Sequence, residues 1–88
     1  MKIAFSSYAR EDYLYWKQNN KKILKRINLL IKDILRNPDD GEGVGKPEML
    51  KGNLSGYYSR RITDEHRLVF KIENVALIIA QCRFLYLK

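Results

Sequence analysis

Side chains able to do chemistry are concentrated in the second half of the chain. Glu48 lies between Lys46 and Lys51, and neighbouring positive charges keep a carboxylate ionised and ready to accept a proton. An exposed glutamate with no catalytic role would show the same spacing. Arginines occur in each of the segments YYSRRIT (57–63), HRLVFKI (66–72) and QCRFLYLK (81–88). So many guanidinium groups on consecutive strands favour a bound anion such as phosphate, the alternative being arginines that only face solvent.

The elements that must position these groups can be predicted from periodicity and capping residues. They are a strand over 2–6, helices over about 8–18 and about 21–36, and strands over 57–63, 66–72 and 75–84, with turns at Asp64-Glu65 and Glu73-Asn74. Ser6 or Ser7 is expected to cap the first helix, and Asn19 or Asn20 the second. Pro38 ends the second helix because it disfavours helical geometry in the residue before it. The order βααβββ predicts the α+β class, with a helical hairpin packed on one face of an antiparallel sheet.

The second predicted helix has two unlike faces. Its apolar residues have the spacing of a stripe that packs against a core, and they are Ile23, Leu24, Ile27, Leu30, Ile31, Ile34 and Leu35. The opposite face is basic and carries Lys21, Lys22, Lys25, Arg26, Lys32 and Arg36. Such a face is usually solvated, and the alternative is a surface that contacts phosphates. The first helix is rich in aromatic residues, which are expected to pack between helix and sheet rather than to stack on bases: Tyr8, Tyr13, Tyr15 and Trp16.

Alternation along the strands assigns side chains to the two faces of the sheet. The face beneath the helices is expected to carry Leu68, Phe70 and Ile72. The open face is expected to carry Arg67, Val69 and Lys71. On the last strand, alternation places Cys82 on the same face as Ala76. The strand register does not follow from the sequence, so either Arg60 or Arg61 could accompany Arg67.

Composition narrows the classes of function. The 88 residues include 17 Lys and Arg against 10 Asp and Glu, a formal charge of +7 that favours RNA or DNA as a partner, or alternatively an acidic protein. Cys82 is expected to be a buried thiol in a reducing compartment. With one histidine and no cluster at metal-ligand spacing, no metal or other cofactor is expected. The longest apolar run, VALIIA (75–80), is too short to cross a bilayer and no secretory signal is evident, so we expect one cytoplasmic domain over 1–88.

The most distinctive segments of the chain are DYLYW (12–16), KRINLLIKDI (25–34), GKPEMLKGNLSGYYSRRITDEHRLVF (45–70) and the terminal CRF-Y. In order and spacing they resemble the YoeB/Txe family of RelE-like bacterial toxins over nearly the whole chain. The resemblance implies a microbial-ribonuclease-like α+β fold and a translation-dependent endoribonuclease that cuts mRNA in the ribosomal A site. It also implies a YefM-like antitoxin and the 70S ribosome as partners and no membrane, and it leaves a homodimer open.

Residue by residue, the resemblance also implies roles in the reaction. Glu48 matches the family's general base, and Arg67 matches the arginine that stabilises the transition state. Lys51 and Arg61 match basic positions associated with the scissile phosphate. Tyr86 matches a functional tyrosine at the end of the family's sequences, where its ring can orient or stack on a base.

One position departs from the family's pattern. The family typically closes on arginine, an aromatic residue, histidine and tyrosine, and that histidine is the general acid. This chain has RFLY (83–86), so Leu85, which cannot donate a proton, stands in its place. His66 matches the family's own HRLV segment and is not expected to replace the acid. The chain then has reduced activity, was altered to make it tolerable in a host, or uses another donor; the alternative function is a non-catalytic module that binds antitoxin, ribosome or operator complex.

Overall fold

The structure, a computed structural model, describes residues 1–38 and 43–86. In chain order its elements are β1 (Lys2–Phe5), α1 (Ser7–Asn19), α2 (Lys21–Arg36), β2 (Glu48–Met49), a short 3₁₀ turn (Gly52–Leu54), β3 (Tyr58–Arg61), β4 (Arg67–Glu73) and β5 (Ala76–Gln81). The predicted α+β class is confirmed. The Gly- and Pro-rich stretch PDDGEGVGKP (38–47) is predicted from its sequence to be a loop, and part of it lies outside the described residues. The two-residue strand β2 was not predicted.

Local side chains set the boundaries of both helices, as the sequence indicated. The Ser6 hydroxyl accepts a hydrogen bond from the Ala9 N–H at 3.1 Å and caps α1. Asn20 ends α1 and caps α2, because its side-chain oxygen accepts from the Ile23 N–H at 3.2 Å. Ser6 also donates to the Ala80 carbonyl at 2.7 Å, which ties the start of α1 to β5. Neither helix in the described ranges has the length and hydropathy of a membrane-spanning segment.

The strands form one five-stranded sheet in the order β1-β5-β4-β3-β2. The pairs β5–β4, β4–β3 and β3–β2 are antiparallel, whereas β1 pairs with β5 in parallel. The helical hairpin carries the chain from β1 at one edge of the sheet to β2 at the other edge. Three antiparallel pairings then bring β5 back beside β1, in parallel with it. Of the predicted site residues, Glu48, Arg61 and Arg67 belong to β2, β3 and β4, on the side of the sheet away from β1.

The main core lies between the helices and one face of the sheet. It contains apolar residues of α1, α2, β4 and β5, among them Trp16, Ile27, Leu30, Ile34, Leu68, Phe70, Leu77 and Ile79. Leu68 and Phe70 lie on this face as predicted. The prediction for the α1 aromatics was only partly right: Trp16 is buried and Tyr13 packs against the core, but Tyr8 is 69% exposed and Tyr15 is 36% exposed.

The opposite face of the sheet is not fully open, which corrects the prediction for Val69. Val69 is completely buried in a second, smaller cluster with Leu50 and Ala80. Leu54 and Tyr57 pack against the same cluster. The segment from β2 to β3 therefore covers the middle of this face.

A register shift in the β4–β5 ladder corrects the prediction for Cys82. The shift falls between Val69 and Phe70 and breaks the strict alternation on which the prediction depended. Cys82 lies in the helix-side core with Leu77 and not on the face of Ala76. Its expected burial is confirmed, and that burial raises the pKa of its thiol to about 12, so the thiol stays protonated.

Candidate active site

The sheet register places three of the predicted site residues along one face. Glu48 on β2 is opposite Ser59 on β3, and Arg61 on β3 is opposite Arg67 on β4. Directly opposed residues share a face, and residues two apart on one strand do so as well. Glu48, Arg61 and Arg67 therefore project from the face that the helices do not cover. Lys51 follows β2 at the start of the 3₁₀ turn.

Arg61, not Arg60, accompanies Arg67. Arg60 is 2% exposed and points into the protein, where its Nη1 lies 2.6 Å from Asp33 Oδ2 and 2.9 Å from the Val44 carbonyl oxygen. This ion pair and a hydrogen bond from the Val44 N–H hold the pKa of Asp33 below its usual range. Arg60 thus pins the loop before β2 to α2 and is not available to a ligand.

The Arg67 guanidinium is held in place before any ligand arrives. Its Nη1 donates to the backbone carbonyls of Thr63, Asp64 and His66 at 2.6, 3.3 and 3.1 Å. All of these carbonyls belong to the turn between β3 and β4. A charge fixed in this way needs little reorganisation when it meets developing negative charge.

Arg61 and Arg67 form a like-charged pair across neighbouring strands. Like charges directly opposite each other are destabilising, and the only acidic side chain within ion-pair distance of Arg61 in residues 1–38 and 43–86 is Asp64, whose Oδ1 lies 3.7 Å from Nη1. The Asp64 side chain is 95% exposed, so it screens Arg61 weakly. A bound phosphate would compensate the pair.

Residues 82–86 follow β5, and hydrogen bonds from side chains to their backbone hold the first of them in place. At Cys82 the carbonyl accepts from Trp16 Nε1 at 2.8 Å and the N–H donates to Asp12 Oδ2 at 3.1 Å. Gln81 Nε2 donates to the carbonyls of Arg83 and Phe84 at 2.6 and 3.1 Å. Gln81 is 3% exposed; this role was not predicted from the sequence, in which the available signal was a polar residue directly after the apolar run 75–80.

The Tyr86 side chain lies next to Glu48. Its hydroxyl lies 3.5 Å from Glu48 Oε1, the outer limit for a hydrogen bond. The two side chains line an open depression of about 480 Å³, together with Met49, Leu50, Lys51 and Leu54. Its size is within the range of small-molecule sites, and it offers apolar surface with a few polar groups, which suits a nucleobase.

Leu85 precedes Tyr86 in the chain but does not line the depression, and it has no proton to donate. Its side chain is 47% exposed. His66 is occupied elsewhere, because its Nδ1 accepts a hydrogen bond from the Phe84 N–H at 2.8 Å. In the described part of the chain, no group of three or more His, Cys, Asp and Glu is arranged to hold a metal ion.

Comparison with known proteins decides the family. The profile described as "YoeB-like toxin of bacterial type II toxin-antitoxin system" matches residues 5–86. The chain belongs to this family of toxins. Toxin YoeB from Synechocystis is 62% identical over 86 residues, which is 98% of each chain.

Solved structures agree with the fold of this toxin. The YoeB–YefM toxin–antitoxin complex from Staphylococcus aureus matches with a TM-score of 0.89 and 53% identity, covering 98% of both chains. A structure of the YoeB dimer from the same species gives the same values. The resemblance predicted from the sequence is therefore confirmed at the level of family and fold.

Proposed function

We propose that this toxin is a metal-independent endoribonuclease that cuts mRNA in the ribosomal A site. One observation carries the proposal: Glu48, Lys51 and Tyr86 line one depression on the sheet face that also carries the opposed pair Arg61 and Arg67. A proton acceptor beside fixed cations is what cleavage of RNA by its own 2′-hydroxyl needs.

The reaction assigns a step to each group. Glu48 takes the proton of the 2′-hydroxyl, whose oxygen then bonds to the adjacent phosphorus while the bond from phosphorus to the 5′-oxygen breaks. Arg67 and Arg61 offset the charge that builds on the non-bridging oxygens, and Arg67 does so from a position fixed by the turn carbonyls. Lys51 contacts the phosphate, and the Tyr86 ring stacks on or orients a base.

The departing 5′-oxygen needs a proton, and Leu85 cannot supply it. Tyr86 and Lys51 are the nearest alternatives, since both border the depression that contains Glu48. Without a well-placed donor the 5′-oxygen leaves as an unprotonated alkoxide, which is a poorer leaving group than an alcohol. We therefore expect this chain to cleave RNA slowly. Leu85 thus lowers the rate without changing the kind of reaction.

The partners proposed for the toxin follow its charge. The formal charge of +7 favours ribosomal RNA, and the toxin then acts in the cytoplasm where ribosomes are. A YefM-like antitoxin would neutralise it by laying an acidic, disordered segment across Glu48 and Arg67. The Staphylococcus aureus relative is found both in complex with YefM and as a dimer, which supports an antitoxin partner and a homodimer here.

A second function, favoured only by Leu85, is a module that binds antitoxin, ribosome or operator complex without cleaving RNA. The two functions are separated by cleavage of a defined mRNA on programmed ribosomes, read by primer extension. We expect slow, ribosome-dependent cleavage that Glu48→Gln lowers by at least about 10²-fold.

The matched control is Glu11→Gln, the same change at an exposed residue of α1, which should leave cleavage unaltered. Cleavage that survives Glu48→Gln, or that is equally fast on free RNA, would contradict the enzymatic proposal. A complete lack of cleavage together with sub-micromolar antitoxin binding in calorimetry would establish the binding module instead.

A further inference from the structure

Phe84 adopts a backbone conformation that its side chain does not explain. Its φ angle is +64°, in the left-handed region that residues other than glycine and asparagine rarely occupy. Its ring is 58% exposed, so burial of the ring does not compensate the strain. The conformation must be maintained by the backbone hydrogen bonds of the residue.

Those hydrogen bonds join Phe84 to His66 and Arg67, where the turn after β3 enters β4, and to Gln81, whose Nε2 donates to the Phe84 carbonyl at 3.1 Å. His66 Nδ1 accepts from the Phe84 N–H, and the Arg67 N–H donates to the Phe84 carbonyl, both at 2.8 Å. Phe84 is therefore fastened at its donor and at its acceptor. Of the groups that hold Phe84, only His66 has a side chain that titrates, and it is the single histidine of the sequence.

The bond requires His66 to be neutral, with its proton on Nε2, because a protonated imidazole has no acceptor. Burial against the Trp16 ring, whose centroid is 4.8 Å away, lowers the pKa of His66 below the usual 6.5, and Arg83 lowers it further. Asp12 from α1 and Glu65 from the adjoining turn act in the opposite direction. Since the pKa is lowered, the bond is present at neutral pH and is lost as the pH falls through the lowered value.

Phe84 lies two residues before Tyr86, so the loss of this bond would change where Tyr86 lies. Leu85 and Tyr86 follow immediately, and the Tyr86 hydroxyl reaches Glu48 Oε1 at 3.5 Å. A residue that leaves the left-handed region redirects every residue after it, so a change at Phe84 would carry Tyr86 away from the depression. The hydrogen bond from the Arg67 N–H to the Phe84 carbonyl also joins Phe84 to the residue whose guanidinium is held by the turn carbonyls.

We propose that His66 is a positioning residue whose neutral imidazole holds Phe84 and so directs Tyr86 onto Glu48, and that its protonation releases residues 84–86. The consequence for cleavage rests on the proposed function. The positioning itself does not, and it can be measured without RNA.

Two variants separate the hydrogen bond from packing. His66→Phe keeps a ring against Trp16 but has no acceptor, whereas His66→Asn keeps an acceptor oxygen near the position of Nδ1 and does not titrate. Hydrogen exchange measured by NMR reports on the Phe84 amide, with the buried β5 residue Leu77 as the internal control for the fold.

In the parent chain, we expect protection of the Phe84 amide to fall by about tenfold between about pH 8 and about pH 5, relative to Leu77. In His66→Asn the protection should not depend on pH. In His66→Phe it should be low throughout. The proposal is overturned if Phe84 stays protected in His66→Phe while Leu77 is protected, or if His66→Asn shows the same loss in acid as the parent.

Cleavage on programmed ribosomes provides the second readout. We expect His66→Phe to lower kcat by about tenfold with little change in KM, because a misplaced group weakens the transition state more than docking. His66→Asn should restore most of this loss and flatten the acid side of the pH profile. Unchanged kcat in His66→Phe would exclude a role in cleavage, whereas an inactive parent would disprove the proposed function and leave the exchange experiment to decide the positioning.

Discussion

The two faces of the sheet use the same residue types for opposite purposes, and adjacent residues of β3 show it best. Arg60 faces the helices, is 2% exposed and is paired with Asp33 at 2.6 Å. Arg61 faces away, and its ion pair with exposed Asp64 is long, at 3.7 Å. The charge of Arg60 is compensated within the protein, whereas Arg61 has capacity left for a ligand.

Arg67, which projects from the face that the helices do not cover, is also held by different groups from those that hold Arg60. Arg67 is held by backbone carbonyls of its own turn, which orient the guanidinium without neutralising its charge. Arg60 is held by a carboxylate, which does neutralise it. A charge that is fixed but uncompensated attracts an anion, so the kind of partner, more than burial alone, separates a structural arginine from a binding one.

The largest expected effect changes the site face alone. Leu85→His should raise cleavage on programmed ribosomes by about 10²–10⁴-fold, because it restores a group able to protonate the leaving oxygen. That range corresponds to about 3–5 kcal/mol of barrier. Stability should barely change, since the Leu85 side chain is 47% exposed.

Controls for this experiment use the other site residues. Glu48→Ala or Arg67→Ala, added to Leu85→His, should remove the gain, because both act in the same reaction step. If the parent already cleaves as fast as Leu85→His, the proton donor lies elsewhere, with Tyr86 or Lys51 the first to test.

The next effect in size compares the two adjacent arginines directly. Arg60→Met should destabilise the protein by about 3 kcal/mol, since it leaves the Asp33 carboxylate without its partner. Arg61→Met should change the free energy of unfolding by less than about 1 kcal/mol, because its ion pair is exposed, yet it should lower cleavage. Urea unfolding of both variants, with cleavage measured in parallel, tests the contrast; equal losses of stability would break it.

A smaller effect is expected from changes to the outer face of α2, which points away from the sheet. Lys22, Lys25 and Lys32 are exposed there, whereas Arg26 is not free, since its Nη2 donates to the Arg61 carbonyl at 3.1 Å. Changing the three lysines to Glu should weaken ribosome co-sedimentation and flatten its dependence on salt, because fewer phosphate contacts release fewer counterions.

The matched control for α2 reverses three exposed cations elsewhere, Lys2, Arg10 and Lys17, and so produces the same change in net charge. If both triple variants lose the same amount of ribosome binding, total charge is the cause. If neither does, the basic face of α2 is only a solvated surface.

The smallest effect lies in the β4–β5 turn. Asn74 and Val75 have φ angles of +51° and +54°, as in a two-residue hairpin turn, and a β-branched residue is strained in this region. Val75 is 79% exposed, so Val75→Gly loses little packing and should stabilise the protein by about 1 kcal/mol. Thermal unfolding measures this, and a lower melting temperature would show that the side chain has a contact worth more than the strain. Cleavage should not change.

Features determined by neighbouring residues could be predicted from the sequence alone. Both helices begin at the serine and asparagine positions that were expected, because a cap is a contact over three residues of chain. The α+β class followed from the apolar stripe of α2 and the alternating strands. The family pattern also supplied the candidate site residues Glu48, Arg61, Arg67 and Tyr86, whose roles stay a prediction.

Only the tertiary structure decided which of these groups meet. Strand β2 has two residues, too few for any periodicity, and it exists because β3 supplies its partners. The pairing of Arg61 with Arg67 depends on register, and the core position of Cys82 depends on a shift in the β4–β5 ladder. Residues 82–84 are held by hydrogen bonds to Trp16 and His66, which are distant in sequence. Trp16 becomes a neighbour when α1 packs on the sheet, and His66 does so when β4 pairs with β5.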